Sequence, residues 1–501
     1  MIKLKALWKL KPLWLIIGAA ILTRLLAVIF SKGFGMHDDH FLVIEVANSW
    51  ANGTDYNNWL PGSNINNSPQ GHSFFYVGFH YLLFLFLNLF SGIIPELKMF
   101  IVRIIHATLS LLIIYFGYKI TEQIADKKTA SKAGLLLAVF WFMPFLAVRN
   151  LVEFVCIPFL IWGTFLIIKN KINGRTRFYL IAGILFGLAF SIRFQSILYT
   201  GGVGLVLLIQ YRWKQTLFFL LGLIASISLI QGGIDLMVWG TPFAEFIAYS
   251  IYNYNHATDY IVTGWYSYIL FILGILIPPL SFLLLWGFIR KWRDQLIIFL
   301  PVVIFLIFHS IFPNKQERFI LTIIPFFIIL GTAGWMDFIN KSSFWSKNIK
   351  LHQVIWIFFW VINITLLSIA STTYSKRARV ESMKYLSKFD QIKSIIIEDT
   401  NNESTKYPPG FYLDKRIQVF ESSARNPIDS IYTPFGKDNY PDFILFTGRD
   451  HLEKRVKLAE GALGGLIYET TIYPGFLDKI MHRLNPLNAN ETIYIYRIKQ
   501  P

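Results

Sequence analysis

The sequence predicts an all-α polytopic membrane protein of about eleven transmembrane helices with a long first exoplasmic loop, followed by a small C-terminal α/β soluble domain. Three observations carry that prediction. Of 501 residues, 54% are hydrophobic and 15% charged, where ordinary globular chains carry about a quarter charged residues. Apolar runs of membrane-spanning length, about 18 to 25 residues, recur through the first three quarters of the chain. The final stretch has no such run and a nearly balanced charge, 19 Lys and Arg against 16 Asp and Glu over residues 373–501.

The apolar runs lie near 13–30, 99–118, 134–148, 154–168, 178–192, 196–210, 216–236, 264–289, 295–311, 319–338 and 352–372. Aromatic residues, 17% of the chain, suit helices with interfacial belts. The basic, apolar N-terminus resembles a signal peptide but lacks a clear small-residue cleavage site, so it is read as an uncleaved first span. A twelfth apolar run, 73–90, is ambiguous, and the distribution of positive charge arbitrates. If 73–90 does not cross and the N-terminus is cytoplasmic, the cytoplasmic segments hold twenty basic residues and the opposite loops six. If it crosses, sixteen of those twenty change sides and the positive-inside bias collapses. The run 73–90 is therefore read as interfacial or re-entrant within a first exoplasmic loop, 31–98. The net charge of +17 then reports orientation, and a nucleic-acid partner is excluded. Eleven spans place the C-terminal domain, 373–501, on the side opposite the N-terminus. Within it β-like runs at 394–397, 417–420, 442–446 and 492–497 alternate with helical stretches such as 380–389 and 453–460. The single cysteine, Cys156, allows neither an intramolecular disulfide nor a cysteine metal cage.

Ionisable groups beside membrane spans are costly and point to function. Ten of the fourteen acids in residues 1–372 fall on the exoplasmic side. The densest cluster, His37-Asp38-Asp39-His40, opens the first loop, which runs on to His72. A carboxylate here could act as general base on an acceptor hydroxyl. The plainer reading is a helix N-cap. A metal site from His37, His40 and His72 has no spacing that selects a geometry. The second cluster, Asn314-Lys315-Gln316-Glu317-Arg318-Phe319, sits between two spans on the side disfavoured for cations. There Lys and Arg could hold a phosphate, or snorkel from helix ends. Arg193, with Gln195 close behind it, occupies a similar junction. Arg149 and Glu153 straddle another with the spacing of a mutual pair, and Arg24 and Arg103 divide evenly between structural pairing and ligand contact.

One span, an acidic pair at the head of a long exoplasmic loop, then many spans: this layout resembles the GT-C superfamily of integral-membrane glycosyltransferases. Within it the likeness is to the mannosyltransferases of glycosyltransferase family 22. Met36-His37-Asp38-Asp39-His40-Phe41 followed by Glu45 is similar to that family's His-Pro-Asp-Glu-type motif. It lacks the proline and has Asp39 where Glu is usual, so either aspartate could be the catalytic one. Asn314-Lys315-Gln316-Glu317-Arg318-Phe319, followed by Pro325, is similar to its His-Lys-Glu-Glu-Arg-Phe-type motif, with Asn314 for His and Gln316 for Glu. The likeness covers roughly residues 1–340, and the layout is also similar to protein O-mannosyltransferases and lipid A aminoarabinose transferases. The resemblance implies transfer of mannose or another hexose from a polyprenyl-phosphate-linked donor to a glycan, lipid or protein acceptor, with inversion and with no metal cofactor. It implies Asp38 or Asp39 as base, and Arg193, Lys315 and Arg318 about the donor phosphate. His37, His40, Glu45, His72, Gln195 and Glu317 would line the acceptor side. A bacterial inner membrane with a periplasmic active face is expected. The alternatives are a flippase of lipid-linked sugars and an oligosaccharide polymerase or ligase, although no internal symmetry of the kind transporters carry is visible.

Overall fold

The computed structural model describes residues 11–62, 68–428, 440–488 and 490–499. Lys3, Lys5 and Lys9, counted in the charge argument, lie outside them. The chain divides into two compact units. One comprises Met1–Ile29, Ser49–Leu83 and Ile101–Thr372; the other comprises Phe30–Asn48, Phe84–Phe100 and Thr373–Pro501. The second unit is thus the C-terminal domain together with two pieces of the first loop.

The first unit is helical. Among the described residues six helices are long and apolar enough to cross a membrane: Pro12–Phe30, Pro95–Ile124, Val152–Lys169, Trp213–Trp239, Glu317–Lys341 and Ile349–Ser371. Shorter apolar helices span Phe74–Asn88, Thr176–Ile192, Phe194–Ile209 and Leu296–Ile311. The chain is an integral membrane protein. Two of the expected spans are broken. Over 134–148 the helix Lys127–Val139 ends where Phe140 turns extended, and a short helix, Met143–Ala147, restarts with Pro144 in its first turn. The break is sealed from another helix: the Asn363 amide donates to Val139 O at 2.8 Å and its oxygen accepts from Trp141 N at 2.9 Å. Without that bridge the break would leave two backbone groups unpaired. Over 264–289 the helices Ser267–Ile275 and Leu280–Arg290 meet at 118°; Pro278 and Pro279, between them, have no N–H to continue a helix.

Close helix crossings rest on glycine. A Cβ on Gly287 would lie 2.1 Å from Gly331 O, and one on Gly334 would lie 1.9 Å from Gly287 O. Only hydrogen fits there, and such small-residue seams let membrane helices gain dispersion energy where no hydrophobic drive exists. Arg24, in the first span, is hydrogen-bonded internally, Nε to Ser110 Oγ at 2.7 Å and Nη1 to Ala138 O at 2.8 Å. Arg103 likewise donates to Val28 O at 2.9 Å.

The second unit holds a five-stranded mixed sheet: β1 (Ser394–Asp399), β2 (Gln418–Ser423), β3 (Phe443–Thr447), β4 (Leu466–Ile472) and β5 (Ile493–Ile498). Their order is β2-β1-β3-β5-β4, parallel over the first three and antiparallel over the last two pairings. The helices Arg377–Leu386 and Leu452–Leu463 belong to the same domain. A core of Ile396, Ile444, Phe446, Ala459, Leu463 and Ile498 is wholly buried.

Candidate active site

In the second unit the acidic motif forms a helix turn of unusual geometry. After Met36, in extended conformation at the N-cap, His37–Asp39 makes one α turn. His40–Glu45 then widens into a π-helix, a form found mostly as single-turn bulges within α-helices and frequently at functional sites. Asp39 stands at the N-cap position of the π-helix, but its side chain makes no cap hydrogen bond there. Asp39 is buried and Asp38 partly exposed. The exposed His37 stacks on Phe41 with centroids 4.4 Å apart, and burial pulls its pKa down.

The wide turn brings His40 Nε2 to 3.2 Å from Glu45 Oε1, and that oxygen also accepts Phe411 N–H at 2.9 Å. His40, 1% exposed, is stacked against Phe34 and Tyr412. His40 and Glu45 therefore tie the acidic turn to the 410–412 turn of the C-terminal domain.

The first unit gathers the cations. Arg193 leaves the helix Thr176–Ile192 in extended conformation and sets Nη2 3.1 Å from Glu153 Oε1 and 2.8 Å from Gln195 Oε1. Arg318, at the start of a 3₁₀ turn spanning Glu317–Ile323, sets Nε 3.7 Å from the same Glu153 oxygen and 2.8 Å from Gln316 Oε1. Both guanidiniums lie over the Phe319 ring, at 5.3 and 5.6 Å. Gln195 Oε1 is 3.2 Å from His309 Nε2. Glu153 is fully buried, and its backbone oxygen accepts the Thr322 hydroxyl at 2.9 Å. Two guanidiniums thus share one carboxylate, which leaves a local excess of one positive charge. Lys315 is held apart from this knot: its amine donates to Phe312 O at 2.6 Å and its amide to Ile261 O at 2.9 Å. Burial lowers its pKa. Glu317 is exposed.

His72 belongs to a third arrangement in the first unit. Its ring stacks on Trp59 at 4.3 Å. Its amide and that of Gly71 donate to Glu245 Oε2 at 2.9 and 2.6 Å, while Trp239 Nε1 donates to Oε1 at 2.8 Å. Burial outweighs these three donors and pushes the Glu245 carboxyl up to about 7. Asp235 accepts the Glu245 amide at 3.1 Å and the Gln231 amide at 2.9 Å.

The sequence reading assigned Arg193, Gln195 and Arg318 to the site, and these come together; it named Gln316 only as part of the motif and Glu153 only as a partner for Arg149, and it did not single out His309. The four-residue spacing from Arg149 to Glu153 suggested a mutual pair. The carboxylate instead serves arginines 40 and 165 positions downstream. Among the described residues no group of three His, Cys, Asp or Glu side chains is placed to hold a metal ion.

The profile of the Alg9-like mannosyltransferase family matches residues 14–413. No curated protein sequence matches the chain. Among solved structures, ArnT from Cupriavidus metallidurans bound to undecaprenyl phosphate superposes with a TM-score of 0.64 at 11% identity, covering 96% of this chain and 97% of that one. The Archaeoglobus fulgidus oligosaccharyltransferase, in a complex with zinc and sulfate, gives 0.56 at 12% identity, over 92% of this chain and 72% of that one. At these identities the likeness is one of fold.

Proposed function

The chain belongs to the Alg9-like mannosyltransferase family and is a glycosyltransferase of the GT-C fold, and we propose that its donor is a polyprenyl-phosphate-linked hexose, mannose or a close relative. The acceptor hydroxyl, on a glycan, lipid or protein, attacks the anomeric carbon. Its proton passes to the carboxylate of Asp38 or Asp39. The bond from the anomeric carbon to the phosphate oxygen breaks, the polyprenyl phosphate leaves with the electron pair, and the configuration inverts.

The observation that carries this reading is the pair of guanidiniums, Arg193 and Arg318, sharing a single buried carboxylate. The excess charge matches what departure of a phosphate requires, since preorganised cations are most effective where charge develops in the transition state. Lys315 adds a point charge on the same stretch of chain. These three cations take the place of a divalent metal in the scheme. The ArnT structure was solved with undecaprenyl phosphate bound, which supports a lipid-phosphate donor here. The positive-inside count supports an exoplasmic reaction, in a bacterial inner membrane a periplasmic one.

Purified protein in detergent, given synthetic radiolabelled polyprenyl-phosphate-mannose and, in parallel, the glucose and aminoarabinose donors, tests the reading. Release of polyprenyl phosphate with transfer or hydrolysis of the sugar is the expected result. Inertness toward all three donors, combined with movement of labelled lipid across liposomes carrying the protein, would make it a lipid-linked sugar transporter instead.

A further inference from the structure

One helix of the second unit packs by its polar side. At about 100° per residue, Phe476, Leu477, Ile480, Met481 and Leu484 of the helix Phe476–Leu484 fall on one half of its circumference, and Asp478, Lys479, His482 and Arg483 on the other. A surface helix ordinarily turns its apolar half toward the core. Here the buried side chain is Asp478, whose carboxylate accepts the amides of Lys376 and Arg377 at 2.9 and 3.0 Å and that of Gly475 at 3.2 Å. His482, on the same half, sets Nε2 3.8 Å from Glu491 Oε1. The apolar half is left outside: Phe476 is 72% exposed, Leu484 76%, Met481 44% and Ile480 37%. Tyr473, just before the helix, is exposed as well.

The start of this helix is fixed at the root of the domain. A Cβ on Gly475 would lie 2.7 Å from Tyr374 O, so the two stretches of backbone touch. Tyr374 follows the last residue of the span Ile349–Ser371 by three positions and Lys376 by five. Ser375 N–H donates to Lys32 O at 3.1 Å, and Lys32 stands two positions beyond the first span, Pro12–Phe30. Three residues reach about 11 Å at most. The helix therefore begins close to where the chain leaves its apolar spans.

Charge and area both point to lipid as the occupant of the exposed face. Lys479 and Arg483 are exposed and flank Phe476 on the wheel, where their stems can lie along apolar surface while their charged heads stay in the polar layer. Lipid headgroups offer phosphates to such heads. Four apolar side chains on a nine-residue helix fall short of the roughly 1,000 Å² that a specific protein interface buries. A lipid surface sets no such threshold, and it takes up helices with Phe and Leu on one face and Lys and Arg on the other.

We propose that the helix Phe476–Leu484 is an interfacial anchor, its apolar face lying in the lipid surface of the same membrane that holds the spans, with Lys479 and Arg483 among the lipid phosphates. It gives the C-terminal domain a second attachment to the bilayer besides the chain at Thr372. The acidic turn, which Glu45 ties to Phe411, is restrained with it; only that consequence touches the transferase reading.

The test uses full-length protein in vesicles of phosphatidylethanolamine and phosphatidylglycerol, with a single added cysteine in each of Phe476→Cys, Ile480→Cys and Leu484→Cys carrying an NBD fluorophore. Lys457→Cys, at an exposed position on the helix Leu452–Leu463, is the reference. Cys156 is fully buried, so the unaltered protein measures background labelling. All substituted positions are exposed, and a melting temperature near that of wild type checks each fold. Expected is loss of most of the NBD signal at 476, 480 and 484 when nitroxide-bearing lipids are included, stronger for shallow than for deep nitroxides, as a depth of about 5–10 Å implies. Aqueous iodide should quench only the Lys457→Cys label strongly. Iodide quenching at 476, 480 and 484 equal to that at 457, with no effect of nitroxide lipids, overturns the proposal. Protection from both quenchers together with disulfide formation between copies of unlabelled Leu484→Cys would assign the face to a second copy and overturn it too. No turnover is measured, so neither result is confused with absence of transfer.

Discussion

Glu153→Gln separates the structural and functional roles of the arginine pair. The substitution keeps size and hydrogen-bonding capacity but removes the one carboxylate that Arg193 and Arg318 share at 3.1 and 3.7 Å. The side chains are 14% and 9% exposed and Glu153 is fully buried, so screening by solvent is slight. Removing one partner of a buried pair costs about 3–5 kcal/mol, because the remaining charge is left uncompensated. The glutamine retains a dipole toward Arg193, so the lower end, about 3 kcal/mol, is expected. At the same time the local excess rises from one positive charge to two. An anion should then bind more tightly, and its binding should restore stability by mass action. The assay is a thermal midpoint in detergent with and without polyprenyl phosphate, paired with direct binding of that lipid. The variant should melt several degrees below wild type without lipid, recover with it, and bind it about tenfold more tightly. An unchanged midpoint together with unchanged or weaker lipid binding would refute the assignment of these arginines to a phosphate.

Three further outcomes follow from the geometry. Glu245 has its carboxyl raised from 4.5 to about 7, so the folded protein holds a proton that the unfolded chain has released. Its contribution is full below about 4.5 and is lost as the pH rises to about 7; Glu245→Gln should flatten that slope in melting curves taken across this window. Asn363→Leu strips the partners from Val139 O and Trp141 N. At about 1–3 kcal/mol for each buried unpaired group, it should lower the melting temperature more than Asn363→Asp does. If Arg193, Lys315 and Arg318 take the part of a metal, chelation with EDTA should leave the transfer rate within about twofold of the untreated enzyme. Loss of activity that Mg²⁺ or Mn²⁺ restores would show that a resident metal is needed.

Much of the fold is legible because hydropathy and helix length are local properties. Every long helix of the first unit falls on an apolar run, and four of the five strands overlap β-like runs. The strand β4, Leu466–Ile472, escaped because a bulge between Tyr468 and Thr470 breaks its alternation. The breaks at Phe140 and near Pro278 interrupt apolar stretches that look continuous by composition. What stabilises the first break, Asn363, lies 222 residues from its partner Trp141. The same limit applies at the site. That the Glu45 carboxylate accepts the amide of Phe411, 366 positions away, could not be read from the sequence. Nothing in the sequence neighbourhood of Arg379 reveals that its guanidinium lies over the rings of Phe34 and Phe41. Spacing identifies partners within one turn of helix and is silent about those brought together by tertiary packing.

The central claim is that a carboxylate of the acidic turn accepts the proton of the acceptor. It is tested most directly by single-turnover transfer from polyprenyl-phosphate-mannose in wild type, Asp38→Asn and Asp39→Asn, with folding of each checked by melting temperature. A general base contributes about 10²–10⁴-fold, so one of the two variants should lose at least a hundredfold in rate while it still binds donor and melts near the wild-type temperature. Near-normal rates in both would contradict the account.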